Sequence, residues 1–356
     1  MIAAKKSKSG GGKTTARAMV AARMVQSQAP PKPKQTAPAG PAAGPAASVR
    51  LVVVDSDREG QRLDNFLLGQ LKGAPRSLVY RLLRSGQVRV DGGRCKPDQR
   101  LQGGETVRIP PVRLPAAGAP IAASSQSLEA LEKSFLYEDD DLLVLNKPSG
   151  LAAHGGSGVS YGAIEALRQL RPKAKLELIH RLDRDTSGLM LVAKRRSILL
   201  AVQEQLRVGS VDKRYLSLLA GRVQLDRFDV NAPLRKQVLS GGERMVQVSS
   251  DGKASLSRFR VLERFANCTL VEVKIETGRT HQIRVHALHS GHPVAGDPKY
   301  GDPELNQSLR SFGLDRLFLH AASMRLRLPD AAKDRQWSAQ LPEKLEQVLV
   351  RLRAEG

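Results

Sequence analysis

The sequence predicts an α+β fold: a mixed, mostly antiparallel sheet with flanking helices, preceded by a small unit of helices and a β-ribbon. Three observations carry this. From residue 136 onward, strand-like runs follow one another without a helix between them, as at 176–179 and 189–193 and again at 255–262 and 269–275. Such steps argue for a mixed or mostly antiparallel sheet rather than a doubly wound one. Nearer the N-terminus, two amphipathic helical stripes precede two short strands. Finally, 356 residues of which 41% are apolar give room for two or three domains with a sizeable core.

Residues 1–48 carry eight Lys or Arg and no Asp or Glu, with six Pro and five Gly. That composition buries too little apolar surface to order itself, so a disordered basic tail is expected. Within it, Gly10-Gly11-Gly12-Lys13-Thr14 has the look of a phosphate-binding loop, but Ser7 replaces the required first glycine and no strand precedes it. The acid-free residues 1–25 also fit an organellar transit peptide. The Lys-Gly-rich start and the Pro-Ala continuation favour an RNA-tethering tail instead.

Residues 49–110 begin with a strand at 50–54. A helix at 62–71 follows, with Leu63, Phe66, Leu67 and Leu71 on one stripe. After Gly73-Ala74-Pro75, a second helix at 77–85 carries Leu78, Leu82 and Leu83 and ends at Gly86. Strands at 87–90 and 106–109 flank an Asp91-Gly92-Gly93 turn. Ten Lys or Arg against four Asp or Glu lie within 60–110. Arg76, Arg84, Arg89, Arg94 and Lys96 are candidates to line one face for backbone phosphates, although such charges can also simply face water. This helix–turn–helix with a ribbon resembles the S4 RNA-binding domain. Residues 111–134, rich in Pro, Ala and Ser, read as a linker to a larger domain at 135–356.

In that domain the periodicity predicts strands at 142–146, 176–179, 189–193, 214–220, 255–262 and 269–275. Helices are expected at 161–170, 197–208 and 280–290, the last stopped by Gly291 and Pro293. Residues 180–191, HRLDRDTSGLML, form a polar loop between two apolar runs. Asp183 and Asp185 alternate there with Arg181 and Arg184, and Thr186, Ser187 and Gly188 shape a turn. A carboxylate beside guanidinium groups stays ionised and able to act as a nucleophile or base. By spacing alone, a solvated turn stitched by surface ion pairs fits equally well.

The string HRLDRDTSGL resembles the signature loop of the RluA-type pseudouridine synthases. Two further blocks match in order, Lys147-Pro148-Ser149-Gly150 and TGRTHQIRVH at 277–286, as do the shorter KRYL at 213–216 and RLFLHA at 316–321. Several ordered blocks spanning roughly residues 50–340 are far more specific than one motif. The resemblance implies a curved mixed sheet with a central cleft and isomerisation of uridine to pseudouridine in RNA. It assigns the catalytic role to Asp183, with Asp185 a supporting turn residue. It makes Arg284 the ion-pair partner that holds Asp183 ionised, and Tyr215 the residue that stacks on the base and shuttles a proton. It gives substrate contacts to Arg181, which enters the space of the turned-out uridine, and to Arg279 and His281. Residues 137–140, 154–158 and 242–244 resemble the family's large-subunit ribosomal RNA enzymes.

The reaction breaks the bond from N1 of uracil to C1′ of ribose and rejoins the base through C5, so no energy-rich cofactor is expected. The sequence agrees, with no working phosphate loop and no dinucleotide glycine fingerprint. No metal is expected either. His281 and His286 lie five apart and point about 140° apart on a helix, and no deaminase-type Pro-Cys-x-x-Cys is present.

Net charge of +22 suits a polyanion, with large-subunit ribosomal RNA the expected partner. No apolar run approaches the roughly 18 residues of a membrane helix. Two distant cysteines suggest neither disulfide nor zinc and fit a reducing cytoplasm. A cytoplasmic monomer is expected. A synthase acting on tRNA, and a non-catalytic S4-type ribosome assembly factor, are the competing functions. An intact Asp183, Tyr215 and Arg284 set speaks against the second.

Overall fold

The computed structural model describes residues 48–71, 73–112, 123–155, 161–238, 244–329 and 331–355, without the side chains of 57, 238 and 244. Residues 1–47 of the expected tail, with its glycine stretch, lie outside the described residues, as do 156–158 and 242–243.

The N-terminal unit is β1 (Arg50–Val53), α1 (Leu63–Gln70), α2 (Arg76–Arg84), β2 (Arg89–Val90) and β3 (Thr106–Ile109), with an antiparallel sheet in the order β1-β3-β2. The predicted α1 stripe is the buried one: Leu63, Phe66 and Leu67 are fully enclosed. On α2, Val79 joins Leu82 and Leu83 inside, while Leu78 stays partly buried at the edge. Gly86 ends α2 at φ 68°, a backbone that glycine adopts without strain, and the Gly86 and Gln87 N–H groups cap the carbonyls of Leu83 and Leu82.

The larger part opens with α3 (Ser125–Glu132), which lies within the segment read as a linker. Ser124 caps it by accepting from the Ser127 N–H, and Leu131 is buried in the main core. Then come β4 (Phe135–Glu138), β5 (Leu142–Lys147), α4 (Ala163–Leu170), β6 (Glu177–Leu178), β7 (Ser187–Ala193), α5 (Arg196–Val208), β8 (Asp212–Ala220) and β9 (Arg227–Asn231). A hairpin of β10 (Leu234–Val238) and β11 (Arg244–Val248) follows. The chain continues with β12 (Leu256–Arg264), β13 (Cys268–Ile275), α6 (Gln282–His289), α7 (Pro303–Ser308), β14 (Leu319–Leu326), β15 (Arg335–Ser338) and α8 (Glu343–Glu355).

A ten-stranded sheet runs β4-β5-β7-β14-β8-β13-β12-β9, with β15 beside β14 and β6 beside β7. Among the described residues of this sheet only β14 and β7 pair in parallel, so the sheet is mixed and mostly antiparallel, as the strand-to-strand steps predicted. Every residue of β7 is buried, which explains its unbroken apolar run.

Insertion of β14 between β7 and β8 decides what faces what. The registers place Lys147, Gly188, Ala321, Tyr215 and Val273 in one row across five strands. At Gly188, φ is 114° and an added Cβ would lie 2.3 Å from the Ala321 carbonyl oxygen, so only glycine lets β7 and β14 approach there.

Candidate active site

Asp183 sits five residues before Gly188, in a turn closed by the Thr186 N–H on the Asp183 carbonyl at 3.2 Å. The KPSG loop holds this turn from below. Fully buried Lys147 donates from Nζ to the carbonyls of Pro148 and Leu151 at 2.8 Å and of Arg184 at 3.1 Å. Burial, with the nearby Arg316 charge, lowers its pKa to about 7. The Gly150 N–H also binds the Arg184 carbonyl, and the Ser149 hydroxyl donates to the Asp185 carbonyl at 2.8 Å. Arg316 reaches the same carbonyl at 3.3 Å and Ser187 Oγ at 2.9 Å. The backbone around Asp183 is therefore pinned by groups more than thirty residues away on either side.

The turn faces a cleft of about 100 Å3 lined by Arg181, Asp183, Tyr215, Arg279, His281 and Arg284, among others. All six residues the sequence assigned to catalysis or substrate thus converge. Leu182, Ile275 and Leu319 add apolar walls. Tyr215 is buried, and burial together with the Asp183 charge pushes its phenol well above the ordinary value, so it stays protonated.

The charge pairing differs from expectation. Arg284 does not pair directly with Asp183. Its Nε and a terminal nitrogen grip the two Asp297 oxygens at 2.7 and 2.6 Å, with both side chains buried. Burial disfavours its charge, but the Asp297 hydrogen bonds and the charges of Asp297 and Asp183 outweigh that and hold its pKa above the ordinary value. The guanidinium groups flanking Asp183 are also engaged elsewhere, Arg184 with Asp185 at 3.1 Å and Arg181 with His154 Nε2 at 3.4 Å. The Asp183 carboxylate instead has His281 Nε2 at 3.9 Å.

Helix α6 begins two residues later than predicted, because His281 precedes it in the left-handed conformation at φ 54°. Arg284 is still in its first turn. Gln282 organises the approach: its oxygen accepts from Thr277 Oγ1 at 2.7 Å and the Arg279 N–H at 3.1 Å, while its amide donates to the Leu256 carbonyl and Ser257 Oγ. Arg279 is exposed and donates to the Ala254 carbonyl. His286 is buried against Ser257, Ser255 and the Ala232 carbonyl, away from His281. No group of His, Cys, Asp or Glu among the described residues is arranged to hold a metal.

In the N-terminal unit, Arg89 and Arg94 converge over Gly86, within 3.6 Å of where its Cβ would stand, and Arg84 ends α2 two residues before that glycine. Arg76 starts α2, about 12 Å away along the axis. Lys96 is exposed, and none of the five pairs with a carboxylate among the described residues.

Residues 141–289 match the RNA pseudouridylate synthase family, and residues 61–107 match the S4 domain. A Haemophilus influenzae protein named ribosomal large subunit pseudouridine synthase C is 51% identical over 309 residues, which span 86% of this chain and 96% of that one. The chain belongs to the RNA pseudouridylate synthase family. Relatives of the same name from Escherichia coli K12 and Yersinia pestis are 51% and 52% identical, each over 86% of this chain and 97% and 96% of their own. Among solved structures, human RNA pseudouridylate synthase domain containing 4 is 28% identical with a TM-score of 0.53, covering 64% of this chain and 96% of that one. Human RNA pseudouridylate synthase domain containing 1 is also 28% identical, with a TM-score of 0.51 over 66% and 98%.

In this synthase, sequence reasoning overlooked Lys147, Asp297 and Tyr300 as individual contributors. Lys147 stands within a matched block that gives it no role of its own. The GDPKYG stretch at 296–301, with its acid after a turn glycine, carried the signal for Asp297 and Tyr300.

Proposed function

We propose that this chain isomerises uridine to pseudouridine in large-subunit ribosomal RNA, using Asp183 as the reacting carboxylate. The observation that carries the reading is the meeting of Asp183, Tyr215 and Arg284 in one cleft with apolar walls, which suits a base turned out of its stack. Asp183 reacts by adding to the uracil, by attacking C1′, or by removing the C2′ proton. In each case the N1–C1′ bond breaks, C5 bonds to C1′, and the C5 proton leaves as N1 gains one. Tyr215 supplies a ring face and a retained O–H, and Arg284 a fixed positive charge that favours ionised Asp183. Arg181 and Arg279 contact the RNA at the cleft mouth, and His281 lines the cleft beside Asp183.

The N-terminal unit grips backbone phosphates through Arg84, Arg89 and Arg94, with Arg76 and Lys96 extending the surface, and the tail at 1–48 tethers RNA. We place the protein in the cytoplasm as a monomer. Asp183→Asn abolishes pseudouridine formation in large-subunit RNA while RNA affinity is retained. Pseudouridine mapping of total RNA with and without the gene identifies the substrate, and loss of sites only in tRNA overturns the ribosomal assignment.

A further inference from the structure

His281 occupies an unusual position. It and Asp91 are the only non-glycine residues with positive φ among the described residues, a conformation that costs most side chains about 1–2 kcal/mol. That backbone sets the imidazole between two partners. Nε2 lies 3.9 Å from Asp183 Oδ2, and Nδ1 lies 2.8 Å from the Tyr300 hydroxyl. Tyr300 is buried, and its oxygen already accepts from the Val246 N–H at 3.0 Å.

The Tyr300 proton then has one acceptor among the described residues, His281 Nδ1. Were Nδ1 itself protonated, the phenol would be a buried donor without an acceptor, at a cost of roughly 1–3 kcal/mol. Tyr300 therefore donates, Nδ1 accepts, and the ring proton sits on Nε2. We propose that His281 is a positioning residue for the reaction, its tautomer fixed by Tyr300 so that an N–H faces and orients the Asp183 carboxylate. The 3.9 Å gap is longer than a hydrogen bond and closes by a small rotation when the cleft fills, as catalytic contacts commonly do. The inference rests on the reading of Asp183 as the reacting group.

The groups facing the ring fit this role. Burial and the charges of Arg284 and Lys299 hold the imidazole below its ordinary pKa against the opposing charges of Asp183 and Asp297. Tyr215, buried beside Asp183, also stays neutral. The ring is thus a neutral donor near pH 7, and Val246 links its tautomer to the docking of the β10–β11 hairpin.

The test uses the full chain and pairs a structural with a kinetic measurement. Long-range proton–nitrogen NMR on histidine-labelled protein, with His281→Gln identifying the signal, shows Nδ1 bare and Nε2 protonated. Tyr300→Phe mixes the two tautomers. Single-turnover pseudouridine formation at saturating RNA compares His281→Gln, which keeps an N–H near Nε2, with His281→Asn, which does not. Asparagine suits a left-handed backbone better than glutamine. A purely structural role therefore favours Asn, whereas the proposal predicts that Asn is slower than Gln by roughly tenfold or more.

In Tyr300→Phe, fewer neutral rings carry their proton on Nε2, so single-turnover formation near pH 7 slows. A protonated Nδ1 in the unaltered protein, or Asn as fast as Gln, overturns the inference. The NMR arm needs no substrate, so a wrong RNA assignment does not mask its outcome.

Discussion

Replacing Asp297 by Asn changes the least volume and tests the most consequential pairing in the cleft. Asp297 is fully buried and accepts two hydrogen bonds from Arg284, at 2.7 and 2.6 Å, as well as those of the Lys299 and Tyr300 N–H groups, at 2.8 and 3.1 Å. After the substitution Asp297→Asn, the oxygen at the Oδ1 position keeps three of these. The amide at the Oδ2 position confronts Arg284 Nε donor to donor, and the guanidinium is left buried without its counter-charge. Removing one partner of such a buried pair costs about 3–5 kcal/mol. With each kcal/mol worth roughly 2–4 °C in a domain of this kind, the melting temperature falls on the order of 10 °C. Arg284 is also freed toward Asp183, the next anion whose charge it feels, and a shift of about 1 Å lowers single-turnover pseudouridine formation by up to about 100-fold. Circular dichroism melts and quenched single-turnover assays read the two effects. Adding Arg284→Met removes the orphaned charge and recovers part of the stability without restoring the rate. A melting temperature unchanged in Asp297→Asn refutes the claim that this pair holds the cleft together.

Gly188→Ala forces a Cβ into the Ala321 carbonyl at 2.3 Å and separates β7 from β14, so soluble yield and melting temperature both fall; a normal melt would show that the strand register tolerates spreading. His320 is fully buried between Ser187 Oγ at 3.0 Å and the Ala339 carbonyl at 3.2 Å, and burial, reinforced by the Arg316 charge, lowers its pKa to about 4. Between that value and the ordinary 6.5 the unfolded chain binds the extra proton, so stability rises with pH across this window and is lost on acidification. The full effect is on the order of 3 kcal/mol, read as a falling urea midpoint from pH 6.5 to 4. An NMR titration of His320 with a midpoint above 6 would contradict it. Deleting residues 1–48 removes eight cationic side chains, so RNA affinity drops and its dependence on salt becomes shallower; an unchanged slope makes the tail a bystander.

Much of the architecture was legible because it is written in local preference. The Leu63–Phe66–Leu67 stripe is the face that α1 buries, and Gly86 ends α2. The absence of helices between several strand runs correctly predicted a mixed, mostly antiparallel sheet. The elements left unpredicted do not share one cause: α8 buries Leu345, Val348, Leu349 and Leu352 at plain helical spacing and was simply missed, whereas others lack a local signal. β14 and β15 have no periodicity separable from their surroundings, and the β10–β11 hairpin is a short two-stranded ribbon outside the main sheet. The start of α6 was misplaced because Thr280 and His281 look like ordinary helix openers, whereas the left-handed turn at His281 is imposed by its contacts with Tyr300 and the cleft.

The chemical inventory is legible in the residues alone: which carboxylate, phenol and basic groups are available, and which loops carry them. How the charges are shared follows from the assembled fold. Arg284 is held by Asp297, Lys147 Nζ is committed to three backbone carbonyls, and His281 stands 3.9 Å from the Asp183 carboxylate. The reason is physical. Helix and strand preferences act over a few residues, but the worth of an ion pair depends on distance and desolvation, and both exist only once β14 has joined β7 to β8.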